Sequence, residues 1–157
     1  MSDETLSVAM KHEHHEVDAG IEAFLEKLAG GVVDVDGLKA ARGVLHRHAY
    51  MEETFIFPPL RKGHLMMSIF GMLRSHGEIW RTLDRAVELA SDGSDHDQIR
   101  ETCQQVLAQL AQHNKVEEAV VYSAADVDLN PANAAEWAEF IKVGTMPDGW
   151  VCEKAAG

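Results

Sequence analysis

Four stretches of this chain carry an apolar stripe at alternating spacings of three and four, and every stripe is broken at one level by histidine. The first reads Met10, His14, Val17, Ile21, Phe24, Leu28, and the second Leu38, Ala41, Leu45, His48, Glu52, Phe55. The third reads Ile69, Leu73, His76, Ile79, Leu83, Val87, and the fourth Ile99, Cys103, Val106, Leu110, His113, Glu117, Val120. That period belongs to a helix with one buried face, and no period-2 segment is long enough to argue for a sheet. The stripes therefore restrict the chain to helices packed side by side around a core that contains polar groups.

Chain breakers fall between the stripes. Gly30-Gly31 and the run Val33-Asp34-Val35-Asp36-Gly37 separate a first helix, roughly 4–29, from a second, roughly 36–58. Pro58-Pro59 and Gly63 stop the second. A third runs from about 65 to 90 and ends at Ser91-Asp92-Gly93, and a fourth, capped by Ser94 or Asp95, reaches about 124. Asn130-Pro131 opens a short extra helix to about 143, and Gly144 starts an irregular tail. Helices of about 25 residues, near 37 Å each, joined by short loops predict an all-α fold: an antiparallel up-down-up-down four-helix bundle. We expect residues 1–129 to form the bundle and 130–157 to pack on it without being a separate domain.

The second and fourth helices repeat one another. HAYMEETFIFP from His48 matches HNKVEEAVVYS from His113, and His14, Val17, Ile21 match His76, Ile79, Leu83. The chain reads as two copies of a helical hairpin, each with a lone histidine and an H-x-x-x-E, so the copies should pack about a pseudo-twofold axis. Histidine and glutamate at i and i+4 share a helix face, about 6 Å apart. Imidazole and carboxylate suit iron, manganese and zinc, and no thiolate is placed to favour softer ions. Burying a lone carboxylate or imidazolium costs several kcal/mol, and no Lys or Arg lies on the stripes to offset it. His14, His48, Glu52, His76, His113 and Glu117 thus point to a pair of bound cations. His15 is the rival to His14, and Glu118 the rival to Glu117.

The remaining candidates lie around this set. Glu53 and Glu118 follow the two bridging glutamates and are expected just outside them. Either of these, or Tyr50 or Tyr122, could relay protons, although the two tyrosines and Trp80 also suit core filling. His12 points off its stripe, and His46, His64 and His96 read as surface or loop residues. Met51, Met66, Met67 and Met72 read as packing. Cys103 and Cys152 lack metal-binding spacing and read as reduced structural thiols.

Composition excludes some partners. With 14 Lys and Arg against 26 Asp and Glu, a formal charge of −12, the chain is a poor partner for nucleic acid or an anionic membrane. No apolar run approaches the roughly 18 residues that span a bilayer. The charged N-terminus lacks the apolar region of a signal peptide, so a cytoplasmic address is expected.

A lone histidine, H-x-x-x-E-E followed by proline, a second lone histidine and a second H-x-x-x-E-E resemble the hemerythrin-like, or HHE, cation-binding family over about residues 10–124. The resemblance implies a non-haem di-iron centre, oxo- or hydroxo-bridged, with manganese or zinc as lesser alternatives. It assigns His14, His48, Glu52, His76, His113 and Glu117 as ligands. Oxygen-carrying members have H-x-x-x-H on the third helix, whereas here Met72 and Trp80 flank His76 at four residues either side. Their last acidic ligand sits five residues after the last histidine, where this chain has Glu118. Glu117 at four residues mirrors the second helix and is similar to repair-of-iron-centres and actinobacterial hemerythrin-like proteins. The N-terminal Cys-bearing domain common in the repair proteins has no counterpart in this sequence. With two histidines per iron, both irons keep exchangeable positions, which implies reaction with dioxygen, peroxide or nitric oxide. A catalase-like reaction is the most concrete expectation; a sensor or store of oxygen, nitric oxide or iron without turnover is the alternative.

Overall fold

The computed structural model describes residues 5–156. The expected start of the first helix at residue 4 lies outside them; helix α1 spans Leu6–Ala29, with the Thr5 hydroxyl accepting the Val8 amide as its cap. Helix α2, Val35–Met51, is capped by Asp34, runs through a π-helical turn at Glu52–Ile56 and ends in α3, Phe57–Leu60. Helix α4 covers Met66–Ser91. Helix α5, His96–Val116, is capped by Asp95 and continues through a second π turn, Glu117–Val121, into α6, Tyr122–Asp128. Asn130 caps α7, Pro131–Val143, with proline in the first turn where no amide hydrogen is needed. In the tail, expected to be irregular, Glu153–Ala156 forms a last turn of helix, α8.

Helices α1, α2, α4 and α5 make the bundle, α1 and α4 each packing against both α2 and α5. Every stripe residue from Met10 to Leu28, from Leu38 to Glu52, from Ile69 to Val87 and from Ile99 to Glu117 is buried. The helices approach closely where the sequence permits: a Cβ on Gly20 would stand 2.9 Å from the Ala41 Cβ. The stripes fail only at their ends. Phe55 is half-buried and Val120 exposed, while Ile56 and Val121 are sealed in the core. Each failure lies inside a π turn, whose extra residue slips the buried face by one position.

A small apolar cluster joins Ala49, Trp80 and Cys152, and the two large apolar clusters of the core lie on either side of a polar tier. One gathers Val17, Ile21, Phe24, Leu45, Ile79, Leu83, Cys103 and Leu110. The other gathers Met10, Met51, Ile56, Phe57, Ile69, Val121 and Tyr122, with Trp137 and Phe140 of α7. Each fully buried side chain of this size contributes roughly 1.5–3 kcal/mol. Met51 and Met72 are core residues as expected, but Met66 and Met67, at the start of α4, are exposed.

The tail lies on the bundle. α7 packs against α2 and its π turn, and α8 against α4. Gly77 allows this approach, because a Cβ there would meet the Lys154 backbone at 2.9 Å. Arg81 donates to the Lys154 carbonyl at 3.0 Å. Among the described residues no helix is long and apolar enough to cross a membrane.

Candidate metal centre

The polar tier consists of His14 from α1, His48 from α2, His76 from α4, His113 from α5, and Glu52 and Glu117 from the starts of the two π turns. Both glutamates are fully buried, and the histidines are 3–6 % exposed. All six expected residues thus meet at one level. His15, one residue along from His14, is exposed.

Their atoms converge in two overlapping sets. His14, His48, Glu52 and Glu117 form one group of mutually close donor atoms, and Glu52, His76, His113 and Glu117 form the other. Both carboxylates belong to both sets. In the first, His14 Nε2 is 3.1 Å from His48 Nε2 and 3.0 Å from Glu117 Oε1. In the second, His113 Nε2 is 3.2 Å from Glu117 Oε2, and His76 Nε2 is 3.0 Å from Glu52 Oε1. That last contact is close enough for an ion pair but makes no hydrogen bond, and Glu52 Oε1 stays buried without a hydrogen-bond partner. An orphaned carboxylate oxygen and two imidazole nitrogens facing one another fit donors aimed at a shared cation better than at each other.

The outer face of each ring is held as well. His14 Nδ1 donates to Glu118 at 2.7 Å, His48 Nδ1 to Glu13 at 2.8 Å and His76 Nδ1 to Glu53 at 2.7 Å. His113 Nδ1 donates to the Ser75 hydroxyl, which itself donates to the Met72 carbonyl. An N–H fixed outward turns each Nε2 lone pair inward, the arrangement that orients histidine for a metal. The pattern obeys the repeat. The residue after each buried glutamate holds the lone histidine of the other hairpin, and the residue before each lone histidine, Glu13 or Ser75, holds the histidine of the H-x-x-x-E. Glu13 and Ser75 were not expected from the sequence; their equivalent places before His14 and His76 were the available signal.

Charge in the tier is finely balanced. Burial disfavours the imidazolium of His76, but Glu52 and Glu53 outweigh it and raise its pKa to about 10. Burial likewise opposes charge on His48, yet Glu52, Glu117 and Glu13 hold its pKa well above the usual range. Burial pushes Glu52 and Glu117 up, with repulsion from Glu117 adding to it at Glu52, and the surrounding histidines win, leaving both lowered. The tier demands positive charge, which protons on the imidazoles or bound cations can supply.

On the side of the tier away from the carboxylates lies a small cavity of about 20 Å³. Such a volume holds about one water-sized molecule. The four histidines floor it, and Leu45, Ile79, Trp80 and Leu110 wall it; Asn114 lines it too, and its carboxamide oxygen is buried without a partner. Trp80 therefore fills core and borders the site at once. It also stacks on His46, ring centroids 3.5 Å apart, so His46 is half-buried, contrary to its expected surface location; burial lowers its pKa to about 4.

The two tyrosines part company. Tyr50 packs against Phe55, Phe140 and Trp150 under the tail, and among the described hydrogen bonds it makes none to the six. Tyr122 is fully buried at the carboxylate side of the centre, its hydroxyl 2.7 Å from Glu52 Oε2 and 2.8 Å from Glu117 Oε1. Glu53 and Glu118 face the outer rims of the rings rather than the cavity. His12 pairs with Glu16 on the surface, and His64 and His96 are exposed. Cys103 and Cys152 are free and buried away from the tier, and burial raises each thiol to about 11.

Comparison with curated proteins and with solved structures finds no match. The family model described as hemerythrin HHE cation binding domain matches residues 5–125, which include all four bundle helices and all six groups of the tier. The chain belongs to the hemerythrin HHE cation-binding family.

Proposed function

We propose that His14, His48, Glu52, His76, His113 and Glu117 hold two iron ions, and that the protein reacts with peroxide, dioxygen or nitric oxide in the cavity beside them. One observation carries this reading: two four-residue donor sets share both carboxylates, as a pair of bridged ions requires. Iron bound there would supply redox and Lewis-acid chemistry. The donor types suit iron, with manganese and zinc as poorer candidates on family grounds.

The chain's own groups have separable roles. The four imidazoles and two carboxylates bind, and Glu13, Glu53, Ser75 and Glu118 hold the rings in the binding orientation. Leu45, Ile79, Trp80 and Leu110 exclude bulk water from the cavity. The Asn114 carboxamide, buried and with a free oxygen, offers a hydrogen bond to a small molecule lying over the histidines. A peroxide proton suits that acceptor, which favours peroxide over dioxygen as substrate.

A sensor or store without turnover is the second reading. It is favoured by the tail, where the Glu153 amide donates at 2.9 Å to Glu53, the carboxylate behind His76. The test loads untagged protein with ferrous iron in air, counts metal and adds peroxide. Two irons per chain, a near-ultraviolet band of a bridged diferric pair and evolved oxygen are expected. Two irons without oxygen evolution remove the peroxide enzyme and leave the binding module; no bound metal removes both.

A further inference from the structure

Tyr122 breaks the symmetry of the centre. Its counterpart in the repeat is Phe57, and the two rings sit alike: Tyr122 lies over His14 at 5.5 Å and 27°, Phe57 over His76 at 5.4 Å and 27°. Only one carries a hydroxyl, and that hydroxyl stands among four donor atoms. It is 2.7 Å from Glu52 Oε2, 2.8 Å from Glu117 Oε1, 3.0 Å from His14 Nε2 and 3.1 Å from His48 Nε2. Hydrogen bonding accounts for only part of that crowd, because a phenol has one proton and the Glu52 and Glu117 carboxylates compete for it.

Coordination accounts for it. Metal bonds of about 2.1 Å at right angles set neighbouring ligand atoms about 3.0 Å apart and opposite ones about 4.2 Å apart. The His14–His48 edge is 3.1 Å, His14–Glu117 is 3.0 Å and His48–Glu52 is 3.3 Å, whereas His48–Glu117, across the square, is 3.9 Å. The Tyr122 oxygen caps this square at edge distance from all four corners.

We propose that Tyr122 is a fifth protein ligand, bound as phenolate, to the metal between His14 and His48, and that external small molecules therefore bind at the metal between His76 and His113. The inference rests on the two-metal reading given above. As the metal–oxygen bond forms, the phenolic O–H bond breaks and the proton leaves to solvent; no electron is transferred. Phe57 offers the second metal no donor, so that position has one protein ligand fewer and is the open one.

The experiment uses the full chain loaded with ferrous iron and oxidised in air, examined by resonance Raman in its visible absorption. Ring modes of an iron-bound tyrosinate are expected. The chain has two tyrosines, so their survival in Tyr50→Phe assigns them to Tyr122 without relying on how a Tyr122 variant folds. Tyr122→Phe should lose the modes while keeping two irons. Reduced protein should take up one nitric oxide per chain, and Tyr122→Phe two. A wild-type protein with two irons but no tyrosinate modes, modes lost in Tyr50→Phe, or two nitric oxides per wild-type chain would each overturn the assignment while leaving the metal centre standing. A chain that takes up no iron overturns both readings.

Discussion

At the scale of single residues, the centre is built from behind as much as from within. An imidazole free to rotate would spend little time with its Nε2 lone pair inward, and the loss of its outer partner typically costs 10–100-fold in metal affinity. Glu53→Gln and Glu118→Gln keep a hydrogen-bond acceptor but remove the charge behind His76 and His14. Each should weaken iron binding about 10-fold, and Glu13→Ala and Ser75→Ala by up to about 100-fold, in competition with a chelator of known affinity. Unchanged affinity in all four would mean the rings are held by packing alone. The inner six were legible because each interrupts an apolar stripe. The outer four were only half legible: the doubled glutamates drew attention to Glu53 and Glu118, while Glu13 beside His14 and Ser75 beside His76 look like ordinary surface residues until the neighbouring helix is in place. His46 was misread for the same reason, since the Trp80 ring that buries it comes from another helix.

At the scale of elements, the two π turns decide what the centre contains. In a regular α-helix the residue five beyond Glu117 points about 140° away from it. The i→i+5 turn, closed by the Tyr122 amide on the Glu117 carbonyl, brings Tyr122 back to the same face; the Phe57 amide on Glu52 does the same in the other half. Apolar periodicity assumes 3.6 residues per turn throughout, so it located the four bundle helices and both H-x-x-x-E pairs, then chose Phe55 and Val120 over Ile56 and Val121. A π turn behaves as an α-helix with one residue inserted, and the insertion persists where function repays its strain. Deleting Ala119, which is exposed within the second turn, should restore regular helix. The expected result is a protein more stable to denaturant by roughly 1 kcal/mol that binds iron less tightly, because Glu118 no longer reaches His14. A less stable protein with intact binding would show that the turn is itself the preferred local structure.

At the scale of the whole molecule, the tail and the centre are one connected body. Arg47 on α2 donates to the Phe140 and Ile141 carbonyls at the end of α7, at 2.8 and 3.1 Å, and lies 3.6 Å from Glu13, the carboxylate behind His48. From the other side the Glu153 amide reaches Glu53, behind His76. One histidine of each hairpin, His48 and His76, thus has its outer carboxylate tied to the C-terminal segment. Asn130-Pro131 made α7 legible, but nothing in its composition tells where it docks, since docking depends on the shape of a surface that four other helices make. Trp137 and Phe140 are at most 9 % exposed and Cys152 is fully buried, so a chain ending at residue 130 uncovers apolar surface and should lose several kcal/mol of stability. The more telling expectation is kinetic. Freed of both ties, His48 and His76 should reorient more often, and iron should leave to a strong chelator about 10-fold faster than from the full chain, measured well below the melting point of either protein. His14 and His113, whose outer partners Glu118 and Ser75 have no tie to the tail among the described hydrogen bonds and ion pairs, are the internal control. Their Glu118→Gln and Ser75→Ala variants should accelerate iron release by the same factor in the truncated and full-length chains, whereas Glu53→Gln should do so only in the full-length one. Equal release from both chain lengths would confine the tail to covering the core.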